Sequence, residues 1–406
     1  MKRSVLAAGL GIALLLTGVS ATSSLAASDP CANKTRLYYV QYGTTPSVEW
    51  VYSDCSADTT AHILSKGTAV LTDGGGSMTL DPSSGNAFVS DWSGAVSRFS
   101  LNNSLAGSQI VTTGVQLVNP WGIAIDSKSK RLYVANYGND KLLTMNLVDN
   151  VLSEVDLSAH GIAAVGTVNE LRIDPVEKRL SLSDDGTGHV AEGISWISTV
   201  TNTGGSYDLG SGTKLGVNSF AIDKKSHSLF WSNFFSSANP LVGISTPNPG
   251  SPINFSQPAG ANGSPQSVVV DESSGLVYWV NDKSIYSGNR TDLSSAKVSE
   301  AAGWIAGLAI LKAPISTKKP AVVAKSTKSG RVFACSTGSW ELDRAWSATY
   351  DAPKTILVQL IRDGKVVSRF VKPYVSKAKG SYSCRVTATN AAGASVAVST
   401  VLKVKN

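Results

Sequence analysis

The chain has 406 residues, 42% of them hydrophobic and 16% charged, a globular composition long enough to bury more than one core and unlike that of a disordered or low-complexity protein. Its net charge of +7 is unevenly placed: residues 312–406 hold 17 Lys and Arg against 4 Asp and Glu, whereas the residues before them hold 19 against 25. The molecule is therefore expected to be electrically two-ended, with at least two domains.

At the N-terminus, Met1-Lys2-Arg3 precedes an apolar run from Val5 to Val19 and then Ser24-Leu25-Ala26. This is the pattern of a signal peptide over residues 1–26 and implies secretion. The run is too short to span a bilayer comfortably and no later stretch reaches about 18 apolar residues, so the chain is not expected to be membrane-spanning. Cys31 follows Ser28-Asp29-Pro30, a poor match to a lipoprotein box. The four cysteines fall as two local pairs, Cys31 with Cys55 and Cys335 with Cys384. In an oxidising compartment these read as two disulfides, and their spacing is not that of a zinc knuckle.

Five segments then share one plan, an apolar strand ending in Asp, a turn, and a second apolar strand. They are Met78-Thr-Leu-Asp81, Gly122-Ile-Ala-Ile-Asp126, Leu171-Arg-Ile-Asp174, Phe220-Ala-Ile-Asp223 and Val268-Val-Val-Asp271. The aspartates lie 45, 48, 49 and 48 residues apart, a period that suits four antiparallel strands and matches propeller blades. Gly307-Leu-Ala-Ile310 repeats the first strand but ends in Leu311, with no second strand after it. Arg36-Leu-Tyr-Tyr-Val40, near the mature N-terminus, repeats the second strand of Arg131-Leu-Tyr-Val-Ala135. The expected fold is thus all-β: a six-bladed β-propeller over residues 27–311, closed by both chain ends.

Val277-Tyr-Trp-Val-Asn-Asp282 resembles the YWTD class of propellers, and Asn119-Pro-Trp-Gly-Ile-Ala-Ile-Asp126 resembles the NHL class. The resemblance covers about residues 35–311 and implies architecture more than activity, since such propellers include receptor ectodomains, scaffolds and hydrolases.

From Lys312 to Pro320 the composition turns to Ala, Pro, Ser, Thr and Lys, which reads as an extended linker. Beyond it, residues 321–406 carry Cys335 and Cys384, with Tyr382 two residues before the second cysteine, as in the tyrosine corner of immunoglobulin-type sandwiches. Cys335-Ser-Thr-Gly-Ser-Trp340 and Tyr382-Ser-Cys-Arg-Val-Thr-Ala-Thr-Asn390 resemble Ig-like modules of secreted and surface proteins of Gram-positive bacteria. Leu360 stands where that pattern places its core tryptophan, so Trp340 or Trp346 is expected to fill the space. Lysines cluster at 318, 319, 325 and 328 and again at 372, 377 and 379. Such a charge reads either as a plain solvated surface or as attachment to a polyanion, which in a secreted protein would be an anionic cell-wall polymer or lipid surface. No base-stacking motif accompanies the lysines, and nucleic acid is not expected.

Aligning the inner strands on their Asp singles out the third blade. Four residues before the Asp stand Ser77, Gly122, Glu170, Ser219, Ser267 and Gly307; two before it stand Thr79, Ala124, Arg172, Ala221, Val269 and Ala309. Glu170 and Arg172 share one strand face and are expected to pair near the crowded axis. The same blade holds Asn169, His160 and Asp184-Asp185-Gly-Thr-Gly-His189. Trp121, Asn169, Glu170, Arg172, Asp184, Asp185 and His189 are the candidate ligand-binding set. Oxygen ligands from Asn169, Glu170 and Asp184 or Asp185 suit Ca²⁺, and the gluconolactonase-like propellers hold an axial metal in this way. The matching columns otherwise offer Gly76, Trp121, Asn218, Gln266 and Ala306, an incomplete ligand set, so no cofactor is expected. No nucleophile motif surrounds a serine. Trp92, Tyr137, Phe234 and Phe235 follow second strands and are expected toward one propeller face, most of them as packing between blades and the remainder as a stacking surface for sugars or peptides. The resulting expectation is a secreted recognition or scaffold protein that binds an extracellular protein or carbohydrate. The alternative is a metal-dependent, lactonase-like hydrolase.

Overall fold

The computed structural model describes residues 30–405, apart from 32–33, 44–45, 67–70, 72–75, 102–106, 163–166, 185–192, 210–215, 234–240, 246–252, 256–264, 291–294 and 370–373. The expected signal peptide, Asp185, His189, Phe234, Phe235 and Lys372 lie outside the described residues.

Each Asp-ended repeat folds into one antiparallel sheet. The innermost strands are Met78–Asp81, Pro120–Asp126, Val168–Asp174, Val217–Asp223 and Ser267–Asp271. Trp304–Leu311 is the inner strand of a further sheet, in which it pairs antiparallel with Arg36–Tyr42 (Arg36 opposite Leu311, Tyr39 opposite Leu308). Ser47–Tyr52 and His62–Lys66 follow outward in that sheet. The six inner strands neighbour one another in chain order, and the last returns to the first, so the sheets form a closed ring.

Strands in such a ring are buried on both faces, and this is why they read as nearly continuous apolar runs. Alternate residues of Arg36–Tyr42 show it: Tyr38 and Val40 pack with Met78 and Val89 of one neighbouring blade, while Leu37 and Tyr39 pack with Val269 and Tyr278 of the other. The repeated Asp closes the turn after the inner strand. Its Oδ1 accepts the N–H of Ser83, Lys128, Val176, Ser226 and Ser273 in the five repeats, at 2.8 to 3.1 Å. Three of these carboxylates also meet cations, Asp174 with Lys224, Asp223 with Arg290 and Asp271 with Lys312. Leu311 needs no such Asp, because its strand does not turn back but leaves toward the C-terminal module.

Among the described residues that module has two larger sheets, Val322–Thr327 with Gly330–Cys335 and Tyr374–Ser376, and Thr355–Arg362 with Lys365–Arg369, Gly380–Asn390, Gly393–Val398 and Leu402–Val404. Cys335–Cys384 bridges them, and Cys31–Cys55 ties the N-terminus to the closing blade. Tyr382 donates its hydroxyl to the Ala378 carbonyl at 2.8 Å. The sandwich core holds Phe333, Leu360, Tyr382 and Val404, with Phe333 stacked on Tyr382. This corrects the tryptophan expectation. Phe333 and Tyr382 fill the space beside Leu360, Trp340 lies at the edge with its indole N–H on the Thr337 carbonyl, and Trp346 is buried against the propeller.

The segment from Lys312 is extended, but it is strapped on both sides. Lys312 pairs with Asp271 at 2.8 Å, its carbonyl accepts from Asn390, and Ser316–Lys318 pairs with Ser339–Trp340. Residues 31–406 cluster as one compact unit.

Candidate ligand-binding site

The axis of the ring is filled by side chains. Glu170 is fully buried, and its carboxylate meets the Arg172 guanidinium at 2.8 Å. It also accepts from Ser77 Oγ at 3.1 Å, from Ser219 Oγ at 3.3 Å and from the Leu171 N–H. Arg172, 3% exposed, donates to the Leu171 and Val268 carbonyls. One carboxylate thereby ties together the first, third and fourth blades, the arrangement a buried charge requires. The small residues around it are small by necessity: a Cβ on Gly122 would overlap the Asn169 carbonyl, and one on Gly307 would meet the Met78 amide.

Three serines that the repeat alignment passed over complete this packing. Ser90, Ser183 and Ser232, on the second strands, accept the N–H of Ser77, Glu170 and Ser219, each at 2.9 Å. Their signal is the recurring Ser-Asp or Ser-Asn at the strand end, as in Ser90-Asp91, Ser183-Asp184 and Ser232-Asn233.

At one end the axis is stoppered by the C-terminal module. Residues 344–351 enter beside the inner strand of the closing blade, where Ile310 and Leu311 pair in parallel with Thr349 and Tyr350. The Tyr350 hydroxyl meets Thr79 Oγ1 at 2.8 Å, and Thr349 donates to the Val270 carbonyl. Burial pushes the Tyr350 phenol up to about 12. Arg344 pairs with Glu272, Glu341 and Asp351, while Trp346 donates to Glu272 and lies under the Lys224 ammonium at 4.8 Å. With several carboxylates sharing one guanidinium, burial first, and then the charges of Glu341 and Asp343, push Asp351 up to about 7 against the pull of Arg344. All these contacts are at the Asp-turn end of the blades.

The opposite end carries the aromatic residues, because the second strand runs back from the Asp turn. Trp92 follows Asp91 and Tyr137 follows Asn136, the same place in consecutive blades, and Trp121 stands at the start of the inner strand between them. The three rings form one cluster: Trp92 to Tyr137 is 6.0 Å and nearly parallel, Trp92 to Trp121 is 5.6 Å and edge-on, and Trp121 to Tyr137 is 6.3 Å. Trp121 is 8% exposed and braced through its carbonyl, which accepts from Ser77 N and Ser90 Oγ; Trp92 is 36% exposed. The pair is a rigid base beneath an accessible ring.

Of the remaining candidates, Asn169 is buried, and among the described residues its Nδ2 has no partner. Asp184 is buried at the end of a second strand. Its counterparts there, Asn136 and Gln41, each hold a loop before the inner strand: Asn136 accepts the Val118 N–H and Gln41 accepts those of Ala302 and Gly303. Asp184 thus occupies a position with a structural task in other blades. The donor set does not fit Ca²⁺, because the Glu170 carboxylate already carries a guanidinium, two hydroxyls and an amide. Among the described residues no group of three or more His, Cys, Asp or Glu side chains is gathered for a metal.

Fold and site together define a β-propeller with a filled axis, one end stoppered and aromatic residues at the other. No family model and no curated protein matches the sequence. Among solved structures, the crystal structure of a nidogen/laminin complex is similar with a TM-score of 0.55 at 15% identity, covering 68% of this chain and 98% of that one. A likeness at that identity shows the propeller fold.

Proposed function

We propose that the protein is a secreted recognition or scaffold protein whose propeller binds an extracellular protein through the end that carries Trp92, Trp121 and Tyr137. The observation that carries the reading is the exposed Trp92 ring on a braced aromatic base. Rigid tryptophan and tyrosine supply large contact area at low entropy cost and dominate binding energy where they occur. The likeness to a propeller crystallised in a complex, nidogen/laminin, is consistent with a protein partner. Secretion is supported by the two disulfides together with the N-terminal signal pattern. No helix among the described residues is long and apolar enough to cross a membrane. The two-sheet module, with its inter-sheet disulfide and tyrosine hydrogen bond, is read as Ig-like. Lys318, Lys319, Lys325, Lys328, Lys377 and Lys379 are exposed on it, which suits attachment to an anionic envelope polymer. The hydrolase alternative gains no support, since Glu170 is engaged by Arg172 and the serines.

The test is capture of partners from the secreted and envelope fractions on the mature protein. Each purified partner is then retested against wild type and Trp92→Ser. A hot-spot tryptophan is worth about 2 kcal/mol or more, or roughly 30-fold in Kd. A partner bound equally by both proteins would overturn the assignment of this face, and a partner that proves to be a glycan would move the reading from protein to carbohydrate.

A further inference from the structure

Three blades begin their second strand with an arginine, Arg36, Arg131 and Arg179, each directly opposite the end of the inner strand at Leu311, Asp126 and Asp174. Two residues along and one strand outward, the register sets Trp50 opposite Tyr38 and Trp196 opposite Ser181, whereas Thr144 stands opposite Tyr133. In the two blades with a tryptophan the guanidinium lies over the indole, Arg36 at 4.4 Å and Arg179 at 4.2 Å from the ring centre. An indole thus covers that flank of the blade beneath its arginine, a cation–π stack. The second blade has the arginine and lacks the ring.

A cleft of about 260 Å³ lies at that place, bordered by Arg131, Tyr133, Thr144 and Val155 of the second blade and by Ile197 and Ser198 of the third. It is a little under the ~300 Å³ at which pockets for drug-sized ligands begin, a size for one ring system. Thr144 Oγ1 is buried and has no hydrogen-bond partner among the described residues, a costly state. Burial pushes the Tyr133 phenol up, against the pull of Arg131, so it stays neutral. The other polar groups are engaged: Ser198 Oγ accepts the Val200 and Thr201 N–H, Thr201 Oγ1 meets Thr203 Oγ1, and His160 Nδ1 faces the Thr203 carbonyl at 3.4 Å. Residues 163–166, which follow His160 in the chain, are Ala-Ala-Val-Gly and offer no charged or polar side chain to Arg131 or Thr144.

We propose that this cleft binds a planar aromatic ring with a donor at its edge, an indole being the type, in the place that Trp50 and Trp196 take in their own blades. An anion would need several donors converging on it, and the Ser198, Thr201 and His160 groups are taken by their neighbours. An aliphatic chain would leave both the guanidinium face and the Thr144 hydroxyl unanswered. A ring gains the cation–π contact under Arg131, which is exposed at the rim, and packs on Val155 and Ile197. Its N–H meets the Thr144 hydroxyl once that side chain turns to another of its rotamers. Arg131 starts its strand at the Asp-turn end, away from Trp92 and Tyr137, so this site stands or falls apart from the aromatic end.

The experiment follows binding of N-acetyl-tryptophanamide to the mature protein by ligand-observed NMR, with indole, N-acetyl-leucinamide and inorganic phosphate run beside it. Saturable binding of the tryptophan analogue to wild type is expected, at least about tenfold tighter than that of the leucine analogue. Thr144→Trp supplies the protein's own indole, as at Trp50 and Trp196, and is expected to abolish binding, its folding checked by the melting profile. That variant leaves Trp92, Trp121 and Tyr137 intact, so binding at the aromatic end would survive it. Arg131→Gln, on an exposed residue, is expected to lower the affinity by about fivefold, and it carries the test should Thr144→Trp fail to fold. Indole bound as tightly as the capped amino acid names a free indole compound as the ligand, and weaker indole binding names a tryptophan of a peptide; both support the ring site. No saturable binding to wild type, equal binding by either folded variant, or preference for the leucine analogue or phosphate would each overturn the proposal.

Discussion

Replacing Tyr350 with alanine tests whether the C-terminal module is a working part of the propeller. The ring is 3% exposed inside the axis, its hydroxyl meets Thr79, and its strand pairs with Ile310 and Leu311. Removing a buried aromatic ring costs about 3–5 kcal/mol once the cavity is included. Tyr350→Phe keeps the packing and leaves only Thr79 without its partner, at about 1–3 kcal/mol. For a unit of this size each kcal/mol moves Tm by about 2 °C, so Tyr350→Ala should lower it by roughly 6–10 °C and Tyr350→Phe by clearly less. Differential scanning calorimetry of the mature protein reads both, and the loss should fall on a single transition. A Tyr350→Ala protein whose main transition is unmoved, with a small separate transition for the sandwich, would refute the idea that the axis depends on the inserted segment.

Further expectations follow from the same geometry. Glu170→Gln leaves Arg172 buried without its counter-charge and should destabilise by about 3–5 kcal/mol in urea unfolding, with Ca²⁺ and chelator leaving both proteins unchanged; a Ca²⁺-dependent Tm in wild type that is lost in the variant would revive the hydrolase reading. Gly122→Ala forces a Cβ onto the Asn169 carbonyl and should cost about 1–3 kcal/mol or more, read as a lowered urea midpoint. Because Asp351 is raised in the folded protein to about 7, the folded state binds its proton more tightly than the unfolded chain. The stability from this group is fully present at low pH and declines from about pH 4 to about pH 7, by at most about 1.4 kcal/mol per pH unit. Asp351→Asn should flatten that part of the stability profile. Binding of the mature protein to an anionic glycerol-phosphate polymer should weaken between about 0.1 M and 1 M salt, as the Debye length shortens from about 10 Å to 3 Å, and further in Lys325→Gln with Lys328→Gln; salt-independent binding would argue against charge.

Much of the architecture was legible because it rests on local, repeated patterns. The 45- to 49-residue spacing of Asp81, Asp126, Asp174, Asp223 and Asp271 marks the blades, and the turn each Asp closes is made by its own neighbours. Arg36-Leu-Tyr-Tyr-Val40 could be matched to Gly307-Leu-Ala-Ile310 because strand pairing follows the same pattern in every repeat. Glu170 and Arg172 could be paired because two residues along a strand share a face. The tryptophan expectation failed for the opposite reason. Leu360 is a departure from a family pattern, and only three-dimensional packing shows that Phe333 and Tyr382 fill the space while Trp346 serves the propeller.

The chain by itself thus determines the period, the strand alternation, the cysteine pairs and the crowding of small residues at the axis, since each is a relation between residues near in sequence or equivalent between repeats. Tertiary structure alone decides that Arg344, Thr349 and Tyr350 enter the axis, and that Trp92, Trp121 and Tyr137 form one aromatic group at the other end. Those relations join residues from different blades or from the other module, and no short-range propensity encodes which distant side chain arrives to meet a buried charge.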